Sequence, residues 1–296
     1  MNFKQFLSKI FITPFIYYKW NKDRLKLPLT KKHYQLYKSI HHWHFISLWT
    51  FPDLINCFTY NDKIQWLKLF DQTPNHITLS DKYRVREFVK QTVGEKYLTK
   101  VYQVSKHYDE IDFINLPVKY VIKTNNDTGT IIINFLHKDH KKNKEKIQKS
   151  FKKKFGMEFG EWQYSLINPL IIIEEFIEPN KDKIPADYKF DCVNGKVVFC
   201  RYLNGRFGKL TEAVLDSSGE VQDWIFKESL ERYRNFVKPK NWNEMVFVAE
   251  KLSKSYKYMR VDLYSENNKI YFGEITMFPG SGFYPEVGNF TSAQFI

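Results

Sequence analysis

The segment MRVDLYSENNKIYFGEIT, residues 259–276, decides the fold. Two β-rich runs flank the polar turn ENN, and this pattern predicts a hairpin. Because side chains two apart share a face of a strand, Arg260 points the same way as Asp262, and Glu274 the same way as Thr276. The hairpin can bring the two carboxylates together, and Mg²⁺ takes one or two carboxylates plus nucleotide phosphates. A surface salt-bridge cluster is the alternative interpretation.

A polar loop lies between two β-rich runs earlier in the chain. Lys123 ends the first run, and Asn125, Asn126, Thr128 and Gly129 follow it. A flexible loop between strands can fold over phosphates and offer backbone N–H donors, and Lys123 would add a positive charge. An ordinary hairpin turn is the alternative for this loop.

The third candidate is IIIEEFI at residues 171–177, an apolar strand that ends in two acids. Buried acids at a strand end are costly unless they have partners. Glu174 could accept a hydrogen bond from an adenine amino group, while the backbone around Phe176 supplies further contacts. A strand end that reaches solvent is the alternative.

The run DYKF at residues 187–190 is the fourth candidate. On a strand, Asp187 and Lys189 share the face opposite the two aromatic rings. An acid and a lysine in this arrangement could bind a ribose hydroxyl and a phosphate. The alternative is an exposed cross-strand ion pair, which contributes little to stability.

The order of the elements indicates an α+β protein. Residues 1–80 have mainly helical patterns, and residues 81–93 predict an amphipathic helix with Ser80 as its N-cap. Strands begin near residue 117, and Asn194-Gly195 predicts a tight hairpin. The lysine-rich run 138–154 is typical of a solvated helix. Neither a G-x-G-x-x-G nor a Walker A loop is present in the sequence.

The composition sets broader limits. A length of 296 residues suits about two domains, and the net charge of +13 indicates either an anionic partner or lysines spread over the surface. The three cysteines form no CxxC pair, which favours a reducing cytoplasm over a disulfide framework or a zinc site. The cluster HHWH at residues 41–44 lacks the i, i+4 spacing of a helical metal pair, so we interpret it as structural.

Residues 3–20 are apolar and aromatic, but lysines and Pro14 interrupt them. The uninterrupted apolar stretch is shorter than the roughly 20 residues that span a bilayer. No small-residue cleavage site accompanies it, which disfavours a signal peptide. We expect this segment to pack on the body of the protein; the alternative is that it lies in a membrane surface.

In their order along the chain, these motifs resemble those of the TupA-like ATP-grasp family, which is linked with teichuronopeptide and capsule-type polysaccharide genes. The resemblance covers about residues 60–285. It is carried by a series of short motifs: NDKIQWLKLF at 61–70, SDKYRVR at 80–86, GEKYL at 94–98, DEIDF at 109–113 followed by Leu116-Pro117, EEF at 174–176, DYKF at 187–190, NGK at 194–196, RVDLY at 260–264, FGEIT at 272–276 and PGSG at 279–282.

The resemblance implies an ATP-grasp fold, in which two α+β lobes hold ATP, with ATP and Mg²⁺ as cofactors. The implied divisions are a helical N-terminal region at 1–80, a first lobe with the phosphate loop at 81–173, and a second lobe with the metal site at 174–296.

The resemblance also implies roles for individual residues. Those implied in nucleotide binding are Lys82, Lys123, Asn125, Thr128, Gly129, Glu174, Glu175, Phe176, Ile177, Asp187 and Lys189. Catalytic roles around the transferring phosphoryl group are implied for Arg260, Lys123 and Lys189. Metal ligation is implied for Asp262, Glu274 and Thr276.

The sequence departs from the family pattern at two places. The family loop usually reads HGSG, whereas this chain has NDTG at residues 126–129. Asp127 would repel phosphates unless it faces Mg²⁺ or an amine. Thr276 stands where many ATP-grasp enzymes have Asn, although the TupA-like group tends to share the Thr, and a Thr hydroxyl is the poorer metal ligand.

The implied activity is ATP-dependent joining of a carboxylate and an amine through an acyl phosphate. The expected partners are a uronic-acid-containing sugar or glycan of surface-polysaccharide biosynthesis and an amino acid or small amine. We expect a cytoplasmic protein without a nucleic-acid partner; peripheral contact with the inner face of the membrane and the oligomeric state stay open.

Two other functions are the alternatives. A glycosyltransferase of capsule assembly would need a Rossmann-like nucleotide-sugar domain and an Asp-x-Asp motif, and neither is evident. If the protein were a basic module that binds membranes or polyanions, the clustered acids Asp262 and Glu274 would have no role.

Overall fold

The computed structural model describes residues 12–127, 129–135, 139–153, 156–179, 184–206, 208–227 and 229–284. Its helices are α1 (Thr13–Asp23), α2 (Tyr34–Leu48), α3 (Tyr60–Phe70), α4 (Asn75–Ser80), α5 (Val85–Thr92), α6 (His140–Lys152) and α7 (Trp242–Ser253). Its strands are β1 (Val101–Ser105), β2 (Lys119–Thr124), β3 (Ile131–Phe135), β4 (Ile171–Glu175), β5 (Asp187–Val193), β6 (Lys196–Asn204), β7 (Thr211–Leu215), β8 (Glu231–Arg232), β9 (Tyr258–Glu266) and β10 (Lys269–Thr276).

The strands form two sheets. The first has four strands in the order β1-β4-β2-β3, and the second has six in the order β10-β9-β5-β6-β7-β8. Every pair is antiparallel except β7 with β8. Antiparallel sheets with helices beside them confirm the predicted α+β class.

The first sheet is apolar on the face that packs against α6. Tyr120 and Ile122 of β2, with Ile171 and Ile173 of β4, surround Ile147 of this helix. Because strand side chains alternate, the residues between them lie on the opposite face. Most lysines of α6 are exposed, as expected for a solvated helix.

The second sheet is likewise apolar on one face. Tyr188 and Phe190 of β5 and Val261 of β9 share a buried cluster with Trp242 and Met245 of α7. The alternate residues of the same strands are charged or polar. This alternation places the acids and bases of the second sheet together on the face away from α7.

The N-terminal helices have a core of their own. Ile16 and Trp20 of α1 are buried against Tyr37 and Ile40 of α2. The part of the apolar segment that begins at Ile12 therefore packs on the protein, as expected; residues 1–11 lie outside the described part of the chain. Among the helices of the described ranges, none has the length and apolarity that a bilayer crossing requires.

Two sequence-based predictions are wrong. Ser80 is no N-cap, because it ends α4, and α5 begins only at Val85. Asp81 instead accepts from the backbone N–H groups of Tyr83 at 2.8 Å and Arg84 at 3.1 Å. Strand β1 was not predicted. Among the described strands it pairs with β4 alone, at the sheet edge, and its uniformly half-buried residues show no alternation.

The predicted hairpins are confirmed. Asn194 and Gly195, with φ of 49° and 76°, join β5 to β6 in the left-handed conformation that this turn requires. β2 pairs with β3 across the polar loop, and β9 pairs with β10 across the ENN turn.

Candidate functional site

A cleft lies between the two sheets, on the face of each sheet that is turned away from α6 and α7. Its charged part is a cavity of about 310 Å³, to which the first sheet and the loops beside it contribute basic side chains, and the second sheet both acids and bases. An apolar cavity adjoins it and shares several of its lining residues. The charged cavity is lined by Lys82, Lys123, Gly129, Ile131, Asp187, Arg206, Asp262, Tyr264, Gly273 and Glu274.

Asp262 and Glu274 are direct cross-strand partners on β9 and β10. An irregularity in the pairing between Phe272 and Glu274 accommodates Gly273, where a Cβ would lie 3.0 Å from the carbonyl oxygen of Asp262. The structure thus brings together the two carboxylates that the hairpin pattern predicted to meet. Asp262 is buried, while the Glu274 side chain is 29% exposed toward the cleft.

Arg260 holds Asp262 with two hydrogen bonds, from Nε to Oδ1 at 2.6 Å and from Nη2 to Oδ2 at 2.8 Å. The same Nη2 donates to the Thr276 hydroxyl at 2.9 Å and lies 3.6 Å from Glu274. Burial alone would raise the pKa of Asp262, but Arg260 and Lys189 lower it below its ordinary value. Asp262 is therefore an anion over the whole neutral range, as a metal ligand must be.

Asp187 and Lys189 form the next part of the network. Lys189 is buried, pairs with Asp262 and lies 3.6 Å from Asp187. Arg206 donates two hydrogen bonds to the Asp187 carboxylate, from Nε at 3.0 Å and from Nη2 at 2.9 Å. Sequence reasoning missed Arg206; the polar turn Asn204-Gly205 before it, at the end of a strand, was the available signal. Burial opposes the charge of Arg206, yet Asp187 raises its pKa.

Lys123 and Glu174 meet across neighbouring strands of the first sheet. The Lys123 ammonium pairs with one oxygen of Glu174, and the Thr99 hydroxyl donates to the other at 3.1 Å. Arg86 lies 4.0 Å from the same carboxylate. Glu174 is buried, so these partners compensate its desolvation.

Buried hydrogen bonds to Asp127 anchor the polar loop. Asp127 is buried and accepts hydrogen bonds from the hydroxyls of Thr124, Thr130 and Ser150. Its carboxylate is thereby held among these three hydroxyls, of which that of Ser150 belongs to α6. Lys82 donates to the Asp127 carbonyl and lies 3.7 Å from Glu274, so it connects the loop to the second sheet.

The structure places the candidate residues in several different positions. Lys82, Lys123, Gly129, Asp187, Asp262 and Glu274 line the charged cavity, and Lys123, Glu174, Glu175, Phe176 and Ile177 line the apolar one. Lys189 lies buried behind Asp187 and Asp262, while Arg260 and Thr276 line a third cavity beyond Glu274. Asn125 is fully buried, and its amide bonds to Asp81, Asn168 and Leu170. Thr128 lies outside the described residues.

The hairpin suits Mg²⁺ by the chemistry of its donors. Asp262 and Glu274 provide two carboxylates, and Thr276 a hydroxyl oxygen, on one sheet face. Within the described ranges, no three His, Cys, Asp or Glu side chains gather around a common metal position. Mg²⁺ does not need such a cage, because it keeps several waters and takes phosphate oxygens as ligands.

Two sheets around a cleft with basic side chains, carboxylates and an apolar pocket agree with the ATP-grasp fold that the sequence motifs imply. The model of the TupA-like ATPgrasp family matches residues 62–292. The chain belongs to this family, and the predicted family and its ATP-grasp fold are confirmed.

Solved structures with a similar fold include three bacterial enzymes. The D-alanine–D-alanine ligase from Bacillus anthracis complexed with ATP is 16% identical, with a TM-score of 0.40, 69% of this chain covered and 56% of that one. The L-amino acid ligase from Bacillus licheniformis is 11% identical, with a TM-score of 0.46 and coverages of 75% and 49%. The N5-carboxyaminoimidazole synthetase from Staphylococcus aureus complexed with ADP is 13% identical, with a TM-score of 0.41 and coverages of 68% and 45%.

The chain thus spans about half the length of these solved structures. Among curated proteins, none matches the chain.

Proposed function

We propose that this protein is an ATP-dependent carboxylate–amine ligase whose cleft binds Mg²⁺-ATP. The observation that carries the proposal is the cross-strand pair Asp262 and Glu274, with Arg260 beside both carboxylates and Lys82 and Lys123 facing them. Such a cavity offers basic groups to phosphate oxygens and carboxylates to a divalent cation at the same time. A simple salt-bridge cluster would not explain why an apolar cavity adjoins these charged residues.

The two cavities fit the two ends of a nucleotide. Val121, Ile131 and Ile133 of the first sheet line the apolar cavity, together with Phe176 and Ile177 beyond β4. We place the adenine there, against the backbone of the segment after Glu174. The ribose then lies toward Arg206 and Asp187, and the phosphates extend into the charged cavity beneath Lys82, Lys123 and Gly129.

Asp262 and Glu274 would hold Mg²⁺, with the Thr276 hydroxyl at its edge. When bound there, the ion would neutralise negative charge on the nucleotide phosphates. Thr276 already accepts a hydrogen bond from Arg260, so its main contribution is to aim this guanidinium toward the cavity.

The reaction proceeds in two displacements. A substrate carboxylate oxygen attacks the γ-phosphorus of ATP, and ADP leaves. The amine then attacks the acyl carbon of the resulting acyl phosphate, phosphate leaves with the bonding electrons, and the amine loses a proton as the amide forms. Arg260 and Lys123 stabilise the charge on the transferring phosphoryl group, with Lys189 holding Asp262 in place, so the protein acts by positioning and electrostatics.

We propose a uronic-acid-containing sugar or glycan of surface-polysaccharide biosynthesis as the carboxylate substrate, and an amino acid or small amine as its partner. The net charge of +13 supports a polyanionic substrate. The division of the chain at residues 80 and 173 stays a prediction; the second boundary falls within β4.

Contact with the inner face of the membrane is a further part of this proposal. Phe15, Tyr17 and Tyr18 of α1 are 43%, 59% and 63% exposed, and Lys22 and Arg24 follow them. Exposed aromatic rings beside basic residues suit an anionic lipid surface. Sedimentation with vesicles that contain anionic lipid tests it, because exchange of the three rings for serine should abolish binding.

The test of the ligase is ADP release from Mg²⁺-ATP in the presence of hexuronate-bearing acceptors and a pool of amines. We expect amine-dependent ADP formation that falls at least 100-fold in Glu274→Gln. The control is Glu145→Gln, because Glu145 is exposed on α6. Absence of turnover, together with absence of stabilisation by ATP, would overturn the proposal.

A further inference from the structure

A third cavity of about 460 Å³ lies beyond Glu274, on the side away from the apolar cavity. Glu274 borders this cavity as well as the charged one, so the two meet at the place where the phosphoryl group would be transferred. Arg260 also lines it. The remaining wall is mainly aromatic and consists of Phe159, Tyr164, Phe278, Phe283 and Tyr284.

The carboxylate of Glu161 lies among these aromatic side chains. Glu161 is only 6% exposed and lines the cavity. Within the described part of the chain, its side chain has a single hydrogen bond, from the Ser281 hydroxyl. Burial raises the pKa of Glu161, while Lys68 and Ser281 oppose the shift. A desolvated carboxylate with one hydroxyl partner retains capacity for a strong, charge-assisted hydrogen bond.

The cavity wall is fixed by polar groups on α3. Lys68 donates to the carbonyl oxygens of Phe159 at 2.7 Å and Ser281 at 2.6 Å. Gln65 donates to the Ser281 carbonyl at 3.0 Å and to that of Gly282 at 2.7 Å. The backbone at Phe159, two residues before Glu161, and at Ser281 and Gly282 is therefore held before any ligand arrives, which lowers the entropic cost of binding.

We infer that this aromatic cavity binds the amine substrate as its ammonium ion, with Glu161 as the anionic partner and the aromatic rings as the surrounding wall. The inference rests on the proposed function, because it takes Glu274 and Arg260 as the place where the carboxylate is activated. An ammonium group gains from a buried carboxylate and from the faces of aromatic rings. A neutral alcohol of the same size gains little from either.

The test is ligand-observed NMR with the full chain and Mg²⁺-ADP, using ethanolamine, L-alanine, L-lysine and putrescine as cationic probes. Ethylene glycol serves as the neutral probe, since it differs from ethanolamine only in a hydroxyl for the amino group. We expect at least one cationic probe to bind the wild-type protein, ethylene glycol not to bind, and Glu161→Gln to weaken the cationic probe at least tenfold.

Two outcomes would overturn the inference: no cationic probe binds, or Glu161→Gln binds the probes as the wild-type protein does. Failure of the proposed function looks different, because the wild-type protein would then not bind Mg²⁺-ADP at all. If Glu161→Gln does not fold, Phe283→Leu replaces it. Loss of this ring should weaken the bound probe at least threefold, and unchanged binding would contradict the role of the aromatic wall.

Discussion

Lys68 of α3 donates a hydrogen bond from Nζ to the carbonyl oxygen of Ser281 at 2.6 Å, across 213 positions of sequence. Asn61, Gln65 and Lys68 follow one another at i, i+4 and i+7, so they form one stripe along the helix. Asn61 continues the contact with the Tyr284 backbone, donating at 2.5 Å and accepting at 3.2 Å. Through these hydrogen bonds, the motif NDKIQWLKLF holds residues 281–284 in place beside the cleft.

Replacement of Lys68 by Met should destabilise the protein. The Lys68 side chain is fully buried, and its loss leaves the carbonyl oxygens of Phe159 and Ser281 and the Gln65 amide oxygen without this donor. We expect the free energy of unfolding in urea to fall by about 2 kcal/mol or more. Lys141→Met on the exposed face of α6 is the matched control and should change it by about 0.5 kcal/mol at most. Equal effects of the two variants would contradict the role of Lys68.

Gly282 should not tolerate a side chain. It has a φ of +63°, and a Cβ there would lie 2.6 Å from Gln65 Nε2 and 2.8 Å from Ile64 Cγ2. The left-handed backbone alone costs a non-glycine residue about 1–2 kcal/mol. We expect Gly282→Ala to lower the melting temperature clearly. Gly208→Ala should not, because a Cβ at Gly208 meets its nearest atom at 3.6 Å.

Asp127→Asn tests the anchor of the polar loop. Both oxygens of Asp127 accept hydrogen bonds, from three hydroxyls in all. An asparagine amide has one oxygen acceptor, and its NH₂ group would place donors against these hydroxyls. We expect faster hydrogen exchange over residues 124–131 and weaker ATP binding, with a loss of stability of about 1–3 kcal/mol. Asp109→Asn is the control, because Asp109 pairs with Lys144 at the surface. Tighter ATP binding in Asp127→Asn would instead show that the carboxylate repels phosphates.

His41 should make the protein sensitive to acid. Burial lowers its pKa to about 3, whereas an unfolded histidine takes up a proton near pH 6.5. The unfolded state therefore binds more protons between these values, and stability falls as the pH falls below about 6.5, by up to about 1.4 kcal/mol per pH unit. Between pH 7 and pH 5, urea unfolding should show a smaller loss of unfolding free energy for His41→Gln than for the wild-type protein. His107→Gln, at an exposed position, should follow the wild-type curve.

The sequence predicts the parts of the site that follow strand periodicity. Arg260, Asp262 and Glu274 share one sheet face because strand side chains alternate and a short hairpin fixes their pairing. Lys123 and Glu174 of the first sheet were predicted on other grounds, Lys123 from its place before a polar loop and Glu174 from the two acids that end an apolar strand.

Other parts could not be predicted from pattern alone. The stripe of Asn61, Gln65 and Lys68 consists of polar residues, which periodicity assigns to solvent, yet all three are buried because they bond to backbone from distant segments. Glu161 precedes the short 3₁₀ helix Trp162–Leu166, where no repeat marks a face. Asp127 lies in a loop whose motif suggested contact with phosphate, and the hydroxyls of the nearby Thr124 and Thr130 and of the more distant Ser150 explain its orientation.

The most direct test of the nucleotide site is calorimetric titration of Mg²⁺-ADP into the wild-type protein, Lys123→Met and Lys196→Met. Lys123 lines both the charged and the apolar cavity, whereas the Lys196 side chain is 77% exposed on the β5–β6 turn. We expect saturable binding by the wild-type protein and Lys196→Met, and at least tenfold weaker binding by Lys123→Met, equivalent to about 1.4 kcal/mol. Absence of binding by the wild-type protein, or equal affinity in Lys123→Met, would contradict a nucleotide site between the two sheets.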